Sequence, residues 1–389
     1  MTIAHAADDA GALNATSRPM HVGFVSIVMP CLNEAETVGI CVAKATGWLA
    51  RSGREGEVIV VDNGSTDGSP EIAEAAGARV VHEATRGYGA ALRRGFAEAR
   101  GEWLIMGDCD DTYEFSSLDE LVRPLAEGAD MVVGNRFAGG IAQGAMTWSH
   151  RYIGTPAITL LLRMFAGLRV GDSQCGLRAF TRDALDRLEL KTSGMELASE
   201  MILKAARRGL NVADVPVPYN ERVGEAKLNT FRDGWRHLRF LLLSTPHYMF
   251  TLPGMLLTLL GALTLAFSLP SNTIEIADWT WQPIFAGGIF FVVGINALLL
   301  GFASSSHTTA RGITNEDMFV RFHRRYLGLE TLIVVGVAFV IGGLALDILL
   351  AAYTPDSVSP LALAAVAQAL IIAGCNIVLV AALSSLIED

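Results

Sequence analysis

The stretch Trp103-Leu104-Ile105-Met106-Gly107-Asp108-Cys109-Asp110-Asp111 decides how this chain is read. A short apolar run of this kind reads as a buried strand, and it stops in three carboxylates within four residues. Open α/β sheets bind ligands outside the carboxyl ends of their strands, so a reactive site is expected here. Asp108 and Asp110 are two apart and leave the same face of an extended chain. Two convergent carboxylates suit a hard divalent ion, Mg²⁺ or Mn²⁺, shared with phosphate oxygens. A lone D-x-D is more often an acidic turn, so the rest of the chain has to decide.

Upstream, the pattern alternates: strand 24–29, helix 35–50, strand 58–61, helix 69–77, strand 79–82, helix 88–99, strand 103–107. Such alternation predicts an α/β domain with a mostly parallel, Rossmann-like sheet. Asn33 with Glu36 three residues on has the side chains of a helix start. Strand two runs into Asp62-Asn63-Gly64-Ser65-Thr66-Asp67-Gly68, strong turn chemistry behind another strand-end acid. Glu34, Asp62 and Asp108 therefore line one sheet edge, where they can accept hydrogen bonds from ribose hydroxyls or a base N–H. No G-x-G-x-x-G or G-x-x-x-x-G-K-[ST] follows strand one, so neither a dinucleotide site nor a P-loop is supported.

Composition divides the chain. Its 389 residues are 51% hydrophobic and 18% charged, with a mean hydropathy of +0.38. Beyond residue 246 the only Lys or Arg residues are Arg311, Arg321, Arg324 and Arg325. Four apolar segments, about 247–269, 283–303, 327–352 and 361–387, reach the roughly 20 residues a bilayer span needs. All four arginines fall between the second and third spans, which predicts a cytoplasmic middle loop and cytoplasmic termini in an inner or plasma membrane. Residues 231–246 mix basic and bulky apolar side chains at helical spacing, as in a helix lying in the membrane interface. The expected organisation is a flexible tail (1–21), a cytoplasmic catalytic domain (22–230), that interfacial helix, and an all-α membrane domain (247–389). Five cysteines without a C-x-x-C pair argue for a reducing compartment, and the net charge of -10 gives no sign of nucleic-acid binding.

The ordered set VSIVMPCLNEAE, VIVVDNGSTDGS, GYGAALRRGF, GDCDD, VGDSQCGLRAF and VPVPYNERVGEAKLN resembles the family-2 glycosyltransferases, nearest to the dolichyl- and undecaprenyl-phosphate hexose synthases. The resemblance spans about residues 22 to 245. It implies an A-type glycosyltransferase fold, a divalent metal, and transfer of a hexose from a nucleotide-diphosphate sugar to a polyprenyl phosphate with inversion. Carried onto this chain, Pro30, Glu34, Asp62 and Asp108 would hold the nucleotide, and Asp108 and Asp110 the metal. Thr112 stands where the mannose synthases often place a Gln, which favours UDP-glucose as donor, with GDP-mannose next.

A phosphate acceptor beside a diphosphate needs cations. Arg136 behind a predicted strand, and Arg222 and Lys227 just before the interfacial helix, are the candidates for the acceptor phosphate. Asp172 and Gln174 would lie near the sugar, Asp172 with a catalytic role in orienting groups. Glu196 and Glu200, four apart on a predicted helix, face either the pocket or solvent. Two other readings compete: a processive polysaccharide synthase, whose Q-x-x-R-W string is missing here, and a non-catalytic protein docking nucleotide sugars and lipids. A homo-oligomer is left open.

Overall fold

The computed structural model describes residues 21–224, 230–245, 247–270, 274–276, 279–310, 321–322, 325–353 and 358–388. The expected flexible tail lies outside these residues, apart from His21, and so does Lys227. The chain forms two compact units, Met1–His237 and Leu238–Asp389.

The first unit runs β1 (His21–Cys31), α1 (Val38–Ser52), β2 (Gly56–Asp62), α2 (Ser69–Ala75), β3 (Arg79–His82), α3 (Tyr88–Glu98) and β4 (Gly101–Met106). It continues through α4 (Asp119–Ala126), β5 (Met131–Asn135), α5 (Arg136–Gly139), α6 (Thr155–Ala166), β6 (Arg178–Thr181), α7 (Arg182–Leu188), α8 (Leu197–Arg207) and β7 (Val212–Pro216). One seven-stranded sheet results, in the order β3-β2-β1-β4-β6-β5-β7. Strands β1 to β4 pair in parallel, as do β5 and β7, whereas β6 is antiparallel to both neighbours. Val25, Ile27, Val28 and Met29 of β1 and Ile59, Val60 and Val61 of β2 are fully buried, as strands covered on both faces must be. Helix α3 closes onto them through Gly95, where a Cβ would meet Val28 at 2.3 Å and Val61 at 2.8 Å.

Helix α1 starts later than its side chains predict. It opens at Val38 behind Thr37, while Asn33 adopts φ +52° and its Oδ1 accepts from the Thr66 N–H at 2.8 Å. Ser69 Oγ accepts from the Glu34 N–H at 2.8 Å, and Asp67 Oδ2 from the Ala35 N–H at 3.0 Å. The residues that look like a helix cap are engaged in joining the β1 turn to the β2 turn. That cross-link fixes the two acid-bearing strand ends relative to each other.

Helix α9 (Thr230–Ser244) contains the boundary between the units. The second unit holds α10 (Leu252–Ser268) behind a π-helical turn, a short antiparallel pair β8 (Ile274–Ile276) and β9 (Trp279–Trp281), then α11 (Pro283–Ala310), α12 (Leu329–Ala352) and α13 (Pro360–Glu388). Four helical segments, His247–Ser268, Pro283–Ser306, Leu329–Ala352 and Pro360–Ser385, are long and apolar enough to cross a membrane. Small residues let them approach closely: a Cβ on Gly374 would meet the Gly336 carbonyl oxygen at 2.5 Å, and one on Gly261 the Phe291 nitrogen at 2.3 Å. Gln368 Nε2 donates to Asp347 Oδ2 at 2.9 Å, so these two polar groups satisfy each other between α12 and α13.

Candidate active site

The acids gather at the carboxyl ends of β1, β2 and β4. Asp62, the last residue of β2 and 5% exposed, accepts from the Ser65 N–H at 2.8 Å and the Gly64 N–H at 3.2 Å and faces His82 Nδ1 at 3.1 Å. Burial pushes its carboxyl up, but hydrogen bonds from Ser65, His82 and Gly64 outweigh that and hold it below the usual range. Pro30 is paired in register with Val61, and its carbonyl accepts from Cys109 Sγ at 3.1 Å. Thr37 Oγ1 donates to the Cys109 carbonyl at 2.7 Å. The β1 end thus braces the D-C-D turn from below.

Past β4 the chain reverses through Asp111, at φ +60°, whose Oδ1 takes Lys44 Nζ at 2.7 Å. Asp110 is 7% exposed. Its Oδ1 accepts from Thr112 Oγ1 at 2.6 Å, and its Oδ2 lies 3.3 Å from Arg222 Nη1. Asp108 is held differently. The Tyr88 hydroxyl lies close enough to favour its charged form, while its Oδ1 is shut away from solvent with no hydrogen-bond partner. Burial first, and the charge of Asp110 second, push its carboxyl up to about 7. An orphaned carboxylate oxygen beside a second acid is the donor set a hard cation needs. Among the described residues no group of three or more His, Cys, Asp or Glu is arranged to hold a metal. An ion here would take its remaining ligands from phosphate and water.

The cations fall in two places. Arg222 Nη2 sits 2.5 Å from Glu34 Oε1, so this arginine bridges Glu34 behind β1 and Asp110 behind β4. Arg136, at the start of α5, is paired with Asp172: Nε to Oδ2 at 2.5 Å and Nη2 to Oδ1 at 3.0 Å. The pair is 7% and 0% exposed, respectively, and Tyr219 stacks over the guanidinium at 5.0 Å. Gln174 donates its side-chain amide to Ser173 and to Ser199 Oγ. The two glutamates of the α8 region differ. Glu200 is 2% exposed and accepts from Lys204 at 2.7 Å and from the Thr192 N–H and hydroxyl, so it clasps the preceding loop. Glu196 accepts from the Gly194 N–H at 3.2 Å, and its Oε2 is buried without a partner.

Tyr88 is a site residue that motif reading passed over. Its signal is the flanking pair Gly87 and Gly89, where a Cβ would meet Ser193 O at 2.1 Å and Thr192 O at 2.7 Å. The loop clasped by Glu200 needs that closeness, and it seats the helix start that carries Tyr88. Tyr113 is another: its hydroxyl accepts from the Gly176 N–H at 2.8 Å, and its ring packs on Tyr219 with centroids 5.4 Å apart.

Acid-lined strand ends on this sheet define a class, and the first unit has the A-type glycosyltransferase fold. The chain belongs to glycosyl transferase family 2: residues 26–189 match that family. A hexosyltransferase of low-salt glycan biosynthesis from Haloferax volcanii is 37% identical over 329 residues, covering 84% of this chain and 79% of that protein. The dolichyl-phosphate hexose transferase of the same organism is 36% identical over 211 residues, covering 54% of this chain and 89% of that protein. Among solved structures, glucosyl-3-phosphoglycerate synthase from Mycobacterium tuberculosis, in complex with Mn²⁺, UDP and glucosyl-3-phosphoglycerate, is 24% identical. Its TM-score is 0.46, over 56% of this chain and 78% of that one. The protein is a glycosyltransferase in which, among the described residues, four helices C-terminal to its catalytic unit are long and apolar enough to cross a membrane.

Proposed function

We propose that this glycosyltransferase moves a hexose from a nucleotide-diphosphate sugar, UDP-glucose first and GDP-mannose next, onto dolichyl or undecaprenyl phosphate. The observation that carries the reading is the sequestered Asp108–Asp110 pair, one oxygen unpartnered, at the end of β4. A relative named for dolichyl-phosphate hexose transfer supports the acceptor class. The pattern of basic residues supports a cytoplasmic catalytic unit and cytoplasmic termini.

Asp108 and Asp110 would hold Mg²⁺ or Mn²⁺, which when bound offsets charge on the departing diphosphate, a role worth several kcal/mol of barrier. Thr112 fixes the Asp110 carboxylate and Tyr88 that of Asp108. Pro30, Glu34 and Asp62 position the nucleoside. The acceptor phosphate, a monoester with its second pKa near 6, is mostly dianionic at neutral pH. It attacks the anomeric carbon as the bond to the diphosphate breaks, so no side chain has to take a proton. Asp172, fully buried with both oxygens on Arg136, acts by orienting that guanidinium. Arg136, Arg222 and Lys227 supply the charge that the two phosphates share, and Gln174 lies beside the sugar.

The test offers labelled UDP-glucose, GDP-mannose and UDP-GlcNAc with dolichyl or undecaprenyl phosphate and divalent metal, and counts label in the organic phase. Label from one donor, lost in Asp108→Ala, is the expected result. No lipid-bound label from any donor, or full activity in Asp108→Ala, overturns the reading.

A further inference from the structure

The segment Asp172-Ser173-Gln174-Cys175 is held from several sides by side chains rather than by a strand or helix of its own. Arg178, fully buried in β6, donates to the Ser173 carbonyl at 2.7 Å and the Cys175 carbonyl at 2.9 Å. Thr159 of α6 shares a hydrogen bond with Ser173 Oγ at 3.0 Å and accepts from the Ser173 N–H at 3.2 Å. The last tether is indirect: Gln174 Nε2 donates to Ser199 Oγ at 3.3 Å, and Ser199 Oγ lies 3.0 Å from His237 Nδ1 on α9. Ser199 is 0% exposed and His237 6%.

The two helices that tether this loop, α6 directly and α9 through Ser199, share a character. Helix α6 leaves Leu160 and Met164 more than half exposed, and α9 does the same with Trp235 two residues before His237. Each helix turns bulky apolar side chains outward and one polar side chain inward, Thr159 directly onto Ser173 and His237 onto Ser199, which in turn meets Gln174. Burying a histidine costs desolvation that an apolar residue of similar volume would avoid, so its bond to Ser199 needs a reason beyond packing. Helix α9 runs on to Ser244, and the first apolar span begins at His247.

We propose that His237, acting through Ser199 on Gln174, is a positioning residue for the lipid acceptor. It holds the Asp172–Gln174 loop, and with it Arg136, through the first turns of α9. This rests on the polyprenyl-phosphate reading above. The nucleotide end of the donor, proposed at Glu34, Asp62, Asp108 and Asp110, makes none of these contacts, so the effect should spare UDP binding.

Steady-state transfer is measured in detergent with wild-type full chain, His237→Ala, Ser199→Ala and His237→Asn, varying polyprenyl phosphate, and in a second series adding UDP as an inhibitor competing with UDP-glucose. Losing one buried hydrogen bond should raise the KM for polyprenyl phosphate about fivefold in both alanine variants. The inhibition constant of UDP, which lacks the sugar beside Gln174, should stay within about twofold. His237→Asn places an amide atom where Nδ1 lies and should restore the acceptor KM. An equal change in the UDP inhibition constant, no change in the acceptor KM, or failure of His237→Asn to rescue would overturn the proposal. If His237→Ala does not fold, Ser199→Ala probes the same link. A wild type that transfers nothing to the lipid sinks the functional reading instead, so the two failures are distinct.

Discussion

Removing the guanidinium of Arg136 should damage the fold more than the reaction requires, and by an amount the structure sets. Asp172 is 0% exposed. Arg136 gives it two side-chain N–H bonds and a long backbone one at 3.4 Å, and the Gln174 N–H adds another at 3.1 Å. In Arg136→Met the carboxylate keeps only the backbone bonds. Stranding one member of a buried ion pair costs about 3–5 kcal/mol, and the retained backbone donors place this site near the lower end. At about 2–4 °C per kcal/mol for a unit of this size, 3 kcal/mol lowers the melting temperature by about 6–12 °C.

Adding Asp172→Asn removes the stranded charge, and the double variant should recover most of the stability while remaining inactive. Thermal unfolding followed by intrinsic fluorescence in detergent, at neutral pH, reads all three proteins. A single variant within about 2 °C of wild type, which is under 1 kcal/mol, would refute the argument. So would a double variant showing the sum of both losses.

Two further outcomes follow. With metal stripped by chelator, Asp108→Asn should be more stable than wild type above neutral pH. The wild-type carboxyl is held at about 7 against 3.8 in the unfolded chain, so its penalty builds as pH rises through that window, to at most about 4 kcal/mol; melts from pH 4 to pH 8 check it. Gly176→Ala places a Cβ 2.5 Å from Asp108 Oδ2 and should raise the Mn²⁺ concentration for half-maximal activity by about tenfold or more, as a metal titration would show.

What the sequence disclosed was what is local. The apolar run into Asp108 and Asp110, and the strand-end position of Asp62, depend on a few consecutive residues and a period of two, and both appear where that pattern puts them. The antiparallel β6 was hidden, because it is four residues long and carries a buried arginine whose charge reads as surface. Asn33 and Glu36 look like a cap because caps and turns use the same side chains, and only the β2 turn, over thirty residues on, decides between them. Arg136 and Asp172 are 36 residues apart, and Arg222 and Glu34 are 188 apart. Neither distance leaves a trace in spacing. Sequence reading assigned Arg222 to the acceptor with no sight of its partners, which the structure shows to be Glu34 and Asp110.

That position helps explain how a cluster of buried and half-buried acids persists along one sheet edge. Asp111 has Lys44, Asp110 has Thr112 and Arg222, Glu34 shares that arginine, and Asp62 has backbone N–H groups and His82. Asp108 is the member of the set whose oxygen no cation and no donor reaches, so the unmet charge demand of the edge is concentrated on one atom. Arg222 carries the complementary deficit, a buried Nε with no acceptor. On the proposed reading, one ligand supplies both: its cation meets Asp108 and its phosphate oxygens meet Arg222. The pairing of Arg222 with Glu34 and Asp110 is then a holding arrangement whose strength sets how much donor affinity is spent in opening it.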